Sequence, residues 1–121
     1  MTPLEVARGA IGTKFRLHGR DVAHGLDCVG LVGLAYGVRA PGGYALRSGD
    51  VARIADAVAA AGLVPASGRR AGDLVLFRAG PGQLHLGIDS GNGVIHADAG
   101  LRRVVERPGA APWPELMRWR R

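Results

Sequence analysis

The chain begins with helix signals and continues as a long polar stretch. Thr2 and Glu5 have the T-x-x-E spacing of a capping box, Pro3 stands at the first helical position, and Gly12 is the expected stop. Residues 13–27 are polar and contain glycine, with no apolar periodicity. Irregular segments of this length are usually functional or disordered, so these residues predict an irregular loop with a functional role.

Two further helices are predicted from the apolar pattern. Residues 28–37 are almost wholly apolar, and Asp27 precedes them as a possible N-cap. Their small residues allow close packing, which indicates a buried helix lying on a sheet. An amphipathic helix follows, opened by Ser48 and Asp50 and ended by Gly62.

After Pro65 the periodicity changes from that of helices to that of strands. Glycine-containing turns separate the four strand candidates, which are residues 73–78, 84–89, 94–97 and 101–107. Asn92-Gly93 is a strong signal for a two-residue hairpin between the second and third strands. Helices followed by hairpin-linked strands predict an α+β fold, with N-terminal helices packed on an antiparallel β-sheet, in one domain spanning 1–121.

Composition excludes several classes of protein. The chain has 121 residues, of which 47% are hydrophobic and 21% charged, as is typical of a globular domain. Its single cysteine rules out an intrachain disulfide and any site built on several thiols. No apolar run approaches the ~20 residues of a membrane span. The N-terminus has neither the basic start nor the apolar middle of a secretion signal, so we expect synthesis in the cytoplasm.

The net charge of +6 points to an anionic partner without identifying it. Nucleic acid, an anionic membrane and the bacterial cell wall all qualify, and an arginine-rich composition also arises from a genome rich in G and C. Nucleic acid is disfavoured because there is no recognition-helix pattern and no interleaving of aromatic with basic residues. The basic run at 118–121 is interpreted as a solvated tail.

Cys28 is the first candidate for chemistry. A cysteine at a helix N-terminus is favoured as a thiolate by the partial positive charge there, and the same backbone N–H groups stabilise an oxyanion after attack on a carbonyl. We therefore expect the pKa of Cys28 to lie below that of a free thiol. The alternative is an inert, buried cysteine that packs as a small hydrophobic side chain.

His85 and His96 lie on consecutive predicted strands. Pairing these strands across the Gly-Asn-Gly turn places the two side chains near each other, and their matching parity puts them on one sheet face. Such a pair offers one imidazole as a base and the other as the group that orients it. Two half-buried structural histidines are the alternative. A zinc site that adds Cys28 and His24 is more remote, because no two ligands have a close zinc-type spacing.

Four short motifs follow one another along the chain: GLDCVGL at 25–31, AGDLVLF at 71–77, LHLGI at 84–88 and GNGVIHA at 91–97. They resemble D-C-S-G-L, G-D-L-V-F-F, H-V-G-I and G-N-G-x-x-I-H-A, which occur in this order in NlpC-type cell-wall peptidases. These are papain-like cysteine enzymes. The resemblance implies a papain-like fold and a hydrolase without metal or cofactor.

The resemblance also implies a role for each matching residue. Cys28 matches the nucleophile, which forms a thioester, and its backbone N–H is an oxyanion donor. His85 matches the general base, and His96 matches the third polar residue that holds this base in its working tautomer. The implied reaction is hydrolysis of amide bonds in peptidoglycan stem peptides, often between D-glutamate and a diamino acid.

Two positions depart from the family pattern. Val29 replaces the usual serine after the nucleophile, and Phe15 replaces the tyrosine of a G-T-P-Y segment, so substrate contacts are affected more than the nucleophile. The stretch FRLHGR at 15–20 is most similar to small peptidases carried by phage tails and gene-transfer agents. This branch implies tail proteins as partners, and action at the cell wall or periplasm after delivery by a tail or lysis system.

Residues near the nucleophile are candidates for contact with the substrate. They are Phe15, Arg16, His18, Arg20, His24 and Asp27. The basic members are suited to stem-peptide carboxylates, and solvated loop residues are the alternative. Asp27 is also the expected helix cap. Trp113 and Trp119 are expected to complete the core rather than to line the cleft.

The main hypothesis is a cysteine endopeptidase acting on peptidoglycan, an anionic polymer. One rival keeps the fold but acts as an acyltransferase or amidase on another small substrate. The other rival is a catalytically idle module that binds the wall or forms part of a tail. It is disfavoured because three residues match the catalytic motifs together.

Overall fold

The computed structural model of the protein describes residues 1–40, 46 and 49–121, and the account below concerns these residues. Its helices are α1 (Pro3–Gly9), α2 (Cys28–Tyr36) and α3 (Val51–Ala60). Its strands are β1 (Arg20–Asp21), β2 (Gly25–Leu26), β3 (Val64–Pro65), β4 (Leu74–Gly80), β5 (Gln83–Asp89), β6 (Gly93–Asp98), β7 (Arg103–Pro108) and β8 (Glu115–Arg120). The predicted α+β class is confirmed.

The main sheet has six antiparallel strands in the order β3-β8-β4-β5-β6-β7. Successive side chains along each strand point to opposite faces of the sheet. Leu76, Ile88 and Ile95 pack with the helices in the main core, whereas Val75 and Phe77 lie in a separate cluster on the other face. The helices therefore cover one face of the sheet, and the second face carries only a small apolar cluster.

The signals that predicted α1 are confirmed at its start but not at its end. Thr2 Oγ1 accepts a hydrogen bond from Glu5 N at 3.1 Å, and the Glu5 carboxylate accepts one from Thr2 N at 3.1 Å. The helix ends at Gly9 with Ala10 as its C-cap, so Gly12 is not the stop that the pattern indicated. Gly12 instead has a positive φ of 92° in the turn that follows.

The other two helices have the predicted N-caps, but the C-cap of α3 is Ala61 rather than Gly62. Asp27 caps α2, and Gly37 ends it in the left-handed conformation. Asp50 caps α3 by accepting a backbone hydrogen bond at 3.1 Å, while Ser48 lies outside the described residues. No helix in the described ranges is long and apolar enough to cross a membrane.

The turn between β5 and β6 differs by one residue from the prediction. Ser90 N donates a hydrogen bond to Gly93 O at 2.9 Å, so the two central residues are Gly91 and Asn92. Gly91 supplies the positive φ, 88°, that such a turn requires. Gly93 is needed because a Cβ there would lie 1.9 Å from the Arg107 carbonyl oxygen on β7. With this turn Asp89 pairs with Val94 and Ile88 with Ile95, which keeps His85 and His96 on one face of the sheet.

The segment 13–27 is more regular than its sequence indicated. It contains the short hairpin of β1 and β2, and close backbone approaches hold it against α2. A Cβ at Gly19 would lie 2.2 Å from Gly25 O, and a Cβ at Gly30 would lie 2.0 Å from Gly19 O. These distances exclude a side chain at either glycine. The segment is therefore mostly irregular, as predicted, but it also contains a short hairpin that the sequence did not indicate, because close contacts between glycines leave no periodic signal.

The C-terminal basic run is part of the sheet rather than a solvated tail. It lies on β8, which runs between β3 and β4. Trp119 is 1% exposed and belongs to the core, as predicted. Arg118 is 6% exposed, and its Nη1 donates to Asp73 at 2.9 Å and to Asp89 at 2.8 Å. The interpretation as a tail failed because both carboxylates come from distant parts of the sequence.

Replacing Arg118 with alanine is expected to destabilise the fold by about 3 kcal/mol, because the buried Asp89 would lose its closest cation, whereas Asp73 keeps its ion pair with Arg120 at 2.7 Å. Urea unfolding followed by circular dichroism measures the loss. Arg78→Ala, at an exposed position on β4, is the control and should change the free energy of unfolding by less than about 0.5 kcal/mol. Equal stability of the two variants would contradict the role given to Arg118.

Candidate active site

Cys28 is the first residue of α2, and its thiol is almost fully enclosed. The residue is 5% exposed, and the backbone N–H groups of Leu86 and Val29 hydrogen-bond to its sulfur. Leu86 lies on β5, in the part of that strand that no longer pairs with β6. The start of α2 is therefore placed beside the residue that follows His85 along β5.

Burial raises the pKa of the Cys28 thiol from 9.0 to about 12. The N–H group of Leu86 lowers this pKa, and the nearby Asp27 carboxylate raises it, but burial is the larger effect. The expected lowering of this pKa is therefore wrong for the resting protein. The sequence locates a cysteine at a helix N-terminus, whereas the depth at which that terminus is buried depends on the sheet.

His85 and His96 are brought together as predicted. His85 Nε2 lies 2.9 Å from His96 Nδ1, and the two rings are nearly perpendicular, at 88°. This hydrogen bond occupies one ring nitrogen of each histidine. The Nδ1 of His85 is consequently the nitrogen that remains for a second partner.

Both imidazoles are held in the neutral state. Burial, and secondarily the neighbouring His96, lower the pKa of His85 to about 4. Burial also lowers the pKa of His96, while the Asp98 carboxylate opposes this effect. At neutral pH the thiol and the two imidazoles are therefore all uncharged.

Trp113 is a site residue that the sequence interpretation missed. The centroid of its ring lies 5.1 Å from that of the His85 ring and 5.3 Å from that of the His96 ring, and it meets both rings edge-on. The centroid of the Phe77 ring lies 5.5 Å away. Trp113 packs against the small apolar cluster of Val75, Phe77 and Val94, as expected of a core residue, and it also covers the histidine pair. A tryptophan between two prolines has no periodicity to show which face it covers, so no sequence signal was available.

The loop residues expected to contact a substrate fall into two groups. Arg16, His18 and His24 are exposed, and His24 pairs with Asp21 at 2.8 Å. Phe15 is half-buried and packs against the main core. The contact of these four residues with a substrate stays a prediction.

Asp27 and Arg20 are engaged within the protein. Asp27 Oδ1 accepts hydrogen bonds from Gly30 N at 2.8 Å and from Arg20 Nη1 at 2.7 Å. Its Oδ2 accepts one from His18 N at 2.8 Å. Asp27 is 7% exposed, so its carboxylate faces the loop and the helix. The capping role is confirmed, and contact of Asp27 or Arg20 with a substrate stays a prediction.

In the part of the chain that the structure describes, no three His, Cys, Asp or Glu side chains converge as metal ligands. The chemistry available is that of a thiol, an imidazole base and a second imidazole. A nucleophile with a base, and a third group that orients the base, is the arrangement used for acyl transfer.

A cysteine at the start of a helix that packs on an antiparallel sheet, with two bonded histidines on that sheet, defines the papain-like α+β class. The chain belongs to the NlpC/P60 family, whose sequence profile matches residues 12–118. A search among curated proteins found no match.

Two solved structures of peptidoglycan hydrolases are similar to this chain. The NlpC/p60 domain of SagA is 28% identical with a TM-score of 0.57, and the match covers 88% of this chain and 86% of that domain. RipB from Mycobacterium tuberculosis is 26% identical with a TM-score of 0.60. That match covers 98% of this chain but 62% of RipB, so the chain spans less than two thirds of RipB.

The stability of the fold is expected to decrease as the pH falls from 6.5 to about 4. In this range the unfolded chain binds a proton at His85 and the folded chain does not, so His85 contributes a loss of up to about 1.4 kcal/mol per pH unit. Urea unfolding across this range measures the slope. His85→Phe removes the titrating group and should show a shallower slope; an unchanged slope would contradict the assignment.

Alkylation of Cys28 by iodoacetamide is expected to be slow at neutral pH and to rise only as the pH approaches about 12. The thiolate is the reacting species, and burial disfavours it. The same chain unfolded in urea is the control, since its thiol should ionise near its free value of ~8.5. A native rate that levels off below neutral pH would show a stabilised thiolate and refute the neutral thiol.

Proposed function

We propose that the protein is a cysteine endopeptidase that hydrolyses amide bonds in peptidoglycan stem peptides, with Cys28 as nucleophile, His85 as base and His96 as orienting residue. The observation that carries this proposal is the 2.9 Å bond between the two imidazoles, formed beside the strand residue that hydrogen-bonds the Cys28 thiol. Membership of the NlpC/P60 family, and similarity to two peptidoglycan hydrolases, supply the substrate class.

The first step is attack by sulfur with simultaneous removal of its proton. A free thiolate is unfavourable here because burial raises the pKa of Cys28 and lowers that of His85. The proton therefore passes from Cys28 Sγ to His85 Nδ1 as the S–C bond forms. Coupling the two events avoids a preformed ion pair in a dry site.

The second step is collapse of the tetrahedral intermediate. Its oxyanion is stabilised by backbone N–H groups at the start of α2, with Cys28 N–H as one donor. The C–N bond breaks, the leaving amine takes the proton from His85, and a thioester remains on Cys28. Water then loses a proton to His85 as its oxygen attacks the thioester carbon. The C–S bond breaks, the carboxylic acid leaves, and His85 returns the proton to the sulfur, which restores the thiol.

His96 determines which nitrogen of His85 acts as the base. When His85 Nε2–H donates to His96 Nδ1, the lone pair of neutral His85 lies on Nδ1. The opposite tautomer would place a hydrogen on Nδ1 and remove the base. His96 thus acts by accepting a hydrogen bond, and an asparagine oxygen is able to do the same.

We also propose delivery by a phage tail or gene-transfer-agent particle, with action at the cell wall or periplasm. The similarity of residues 15–20 to the tail-borne branch supports this proposal. A map of neighbouring genes checks it, since tail genes are expected beside this one.

Incubation with purified sacculi, followed by mass spectrometry of the soluble products, tests the activity. New free amino and carboxyl ends within the stem peptide are expected. Cys28→Ala should reduce product formation at least about 10³-fold, because the sequence contains no other thiol. Activity that survives this substitution would exclude Cys28 from the mechanism.

Variants of His96 separate hydrogen-bond acceptance from packing. His96→Asn should retain more activity than His96→Ala, and circular dichroism should show that both variants fold. Equal activity of the two variants would contradict the orienting role.

The rival functions are distinguished by their products. An acyltransferase joins the acyl group to an added amine instead of releasing a carboxylic acid. An idle module leaves the sacculi intact under all conditions.

A further inference from the structure

Four exposed basic residues lie together beside the loop that leads to Cys28. Lys14 and Arg16 follow α1, Arg102 lies in the turn between β6 and β7, and Arg103 is the first residue of β7. Lys14 faces Arg103 in an antiparallel bridge. A second contact joins the two segments, because the backbone N–H that follows Lys14 donates to Arg102 O at 2.9 Å. This group, called the basic edge below, is therefore held by backbone hydrogen bonds.

The basic edge places like charges opposite each other. Cβ atoms of directly opposed residues in an antiparallel pair lie about 4.5–5.5 Å apart, and like charges there are destabilising. Within the described ranges, no carboxylate lies within 4.0 Å of a charged nitrogen of the basic edge. Asp98 is paired with Arg103 in the β6–β7 register, but its Oδ1 accepts hydrogen bonds from two backbone N–H groups of the turn. An external anion would relieve this repulsion.

The basic edge is bonded to the segment that carries the candidate nucleophile. Leu26, which precedes Asp27 and Cys28, donates to Lys14 O at 3.0 Å and accepts from Arg16 N at 3.2 Å. Gly25 permits this approach, since a Cβ there would lie 2.8 Å from Arg16 Cβ. These bonds join the backbone of the basic edge to the residue two positions before Cys28.

We propose that the basic edge binds the carboxylates of the peptidoglycan peptide and holds an anionic strand of the wall beside Cys28. This inference rests on the proposed function, and it assigns binding to Lys14, Arg102 and Arg103, which the loop candidates did not include. Each exposed ion pair contributes little alone. A ligand that carries several carboxylates therefore suits the four cations of the basic edge better than a single small anion does.

Pelleting with purified sacculi measures this binding without turnover when every protein carries Cys28→Ala. The double change Lys14→Glu with Arg103→Glu is expected to weaken binding about tenfold at about 0.05 M salt and little at about 0.5 M, where exposed charges are screened. The control is Arg39→Glu with Arg70→Glu, which changes the net charge equally at other exposed positions. This control pair should bind sacculi within about twofold of the protein that carries Cys28→Ala alone. Equal losses in the two pairs would assign the effect to net charge and overturn the proposal.

Chemically altered sacculi identify the anion. Conversion of wall carboxylates to neutral amides should abolish the difference between the two charge-reversal pairs, and removal of phosphodiester polymers should preserve it. The opposite pattern would overturn the proposal. The neutral pair Lys14→Gln with Arg103→Gln should weaken binding by a smaller factor, and circular dichroism verifies that each variant folds. Because these measurements need no catalysis, they remain informative whether or not the wild-type chain cleaves sacculi.

Discussion

The candidate site depends on the hydrogen bonds that the buried carboxylate of Asp27 accepts from the loop before Cys28 and from α2. This carboxylate caps α2 through Gly30 N, and it also receives the His18 N–H and the Arg20 side chain. Such charge-assisted bonds are strong where little water competes. One side chain therefore joins the loop before Cys28 to the helix after it, and the position of the thiol against β5 follows from that junction.

Burial outweighs the helix terminus in setting the charge of the site. A rise in the thiol pKa from 9.0 to about 12 corresponds to about 4 kcal/mol against the thiolate. A helix N-terminus offers an anion about 0.3–1 kcal/mol. The same burial lowers the pKa of His85, and Trp113 covers both imidazoles. At neutral pH the Cys28 thiol and the two imidazoles are therefore all uncharged, and the attack proposed above needs no preformed ion pair.

Local sequence signals predicted the helix N-caps and the histidine pair, but they did not predict contacts between residues far apart in the chain. The caps Thr2 and Asp27 were recognised because a capping side chain bonds within three residues of itself. The pairing of His85 with His96 was predicted because one turn and strand parity determine it. Arg118 was misjudged, since its carboxylate partners lie far away in the sequence. Only partners that are close along the chain leave a pattern that can be recognised there.

The sequence by itself determined the order of the three helices and of strands β4 to β7, the residue that begins α2 and the sheet face shared by the two histidines. These follow from capping, side-chain alternation and turn chemistry, which act over a few residues. Tertiary structure decided the pKa of Cys28, the cover that Trp113 gives the histidines, and the packing of Gly19 against Gly30. Those depend on how deeply separate elements bury one another, and burial is a property of the assembled fold.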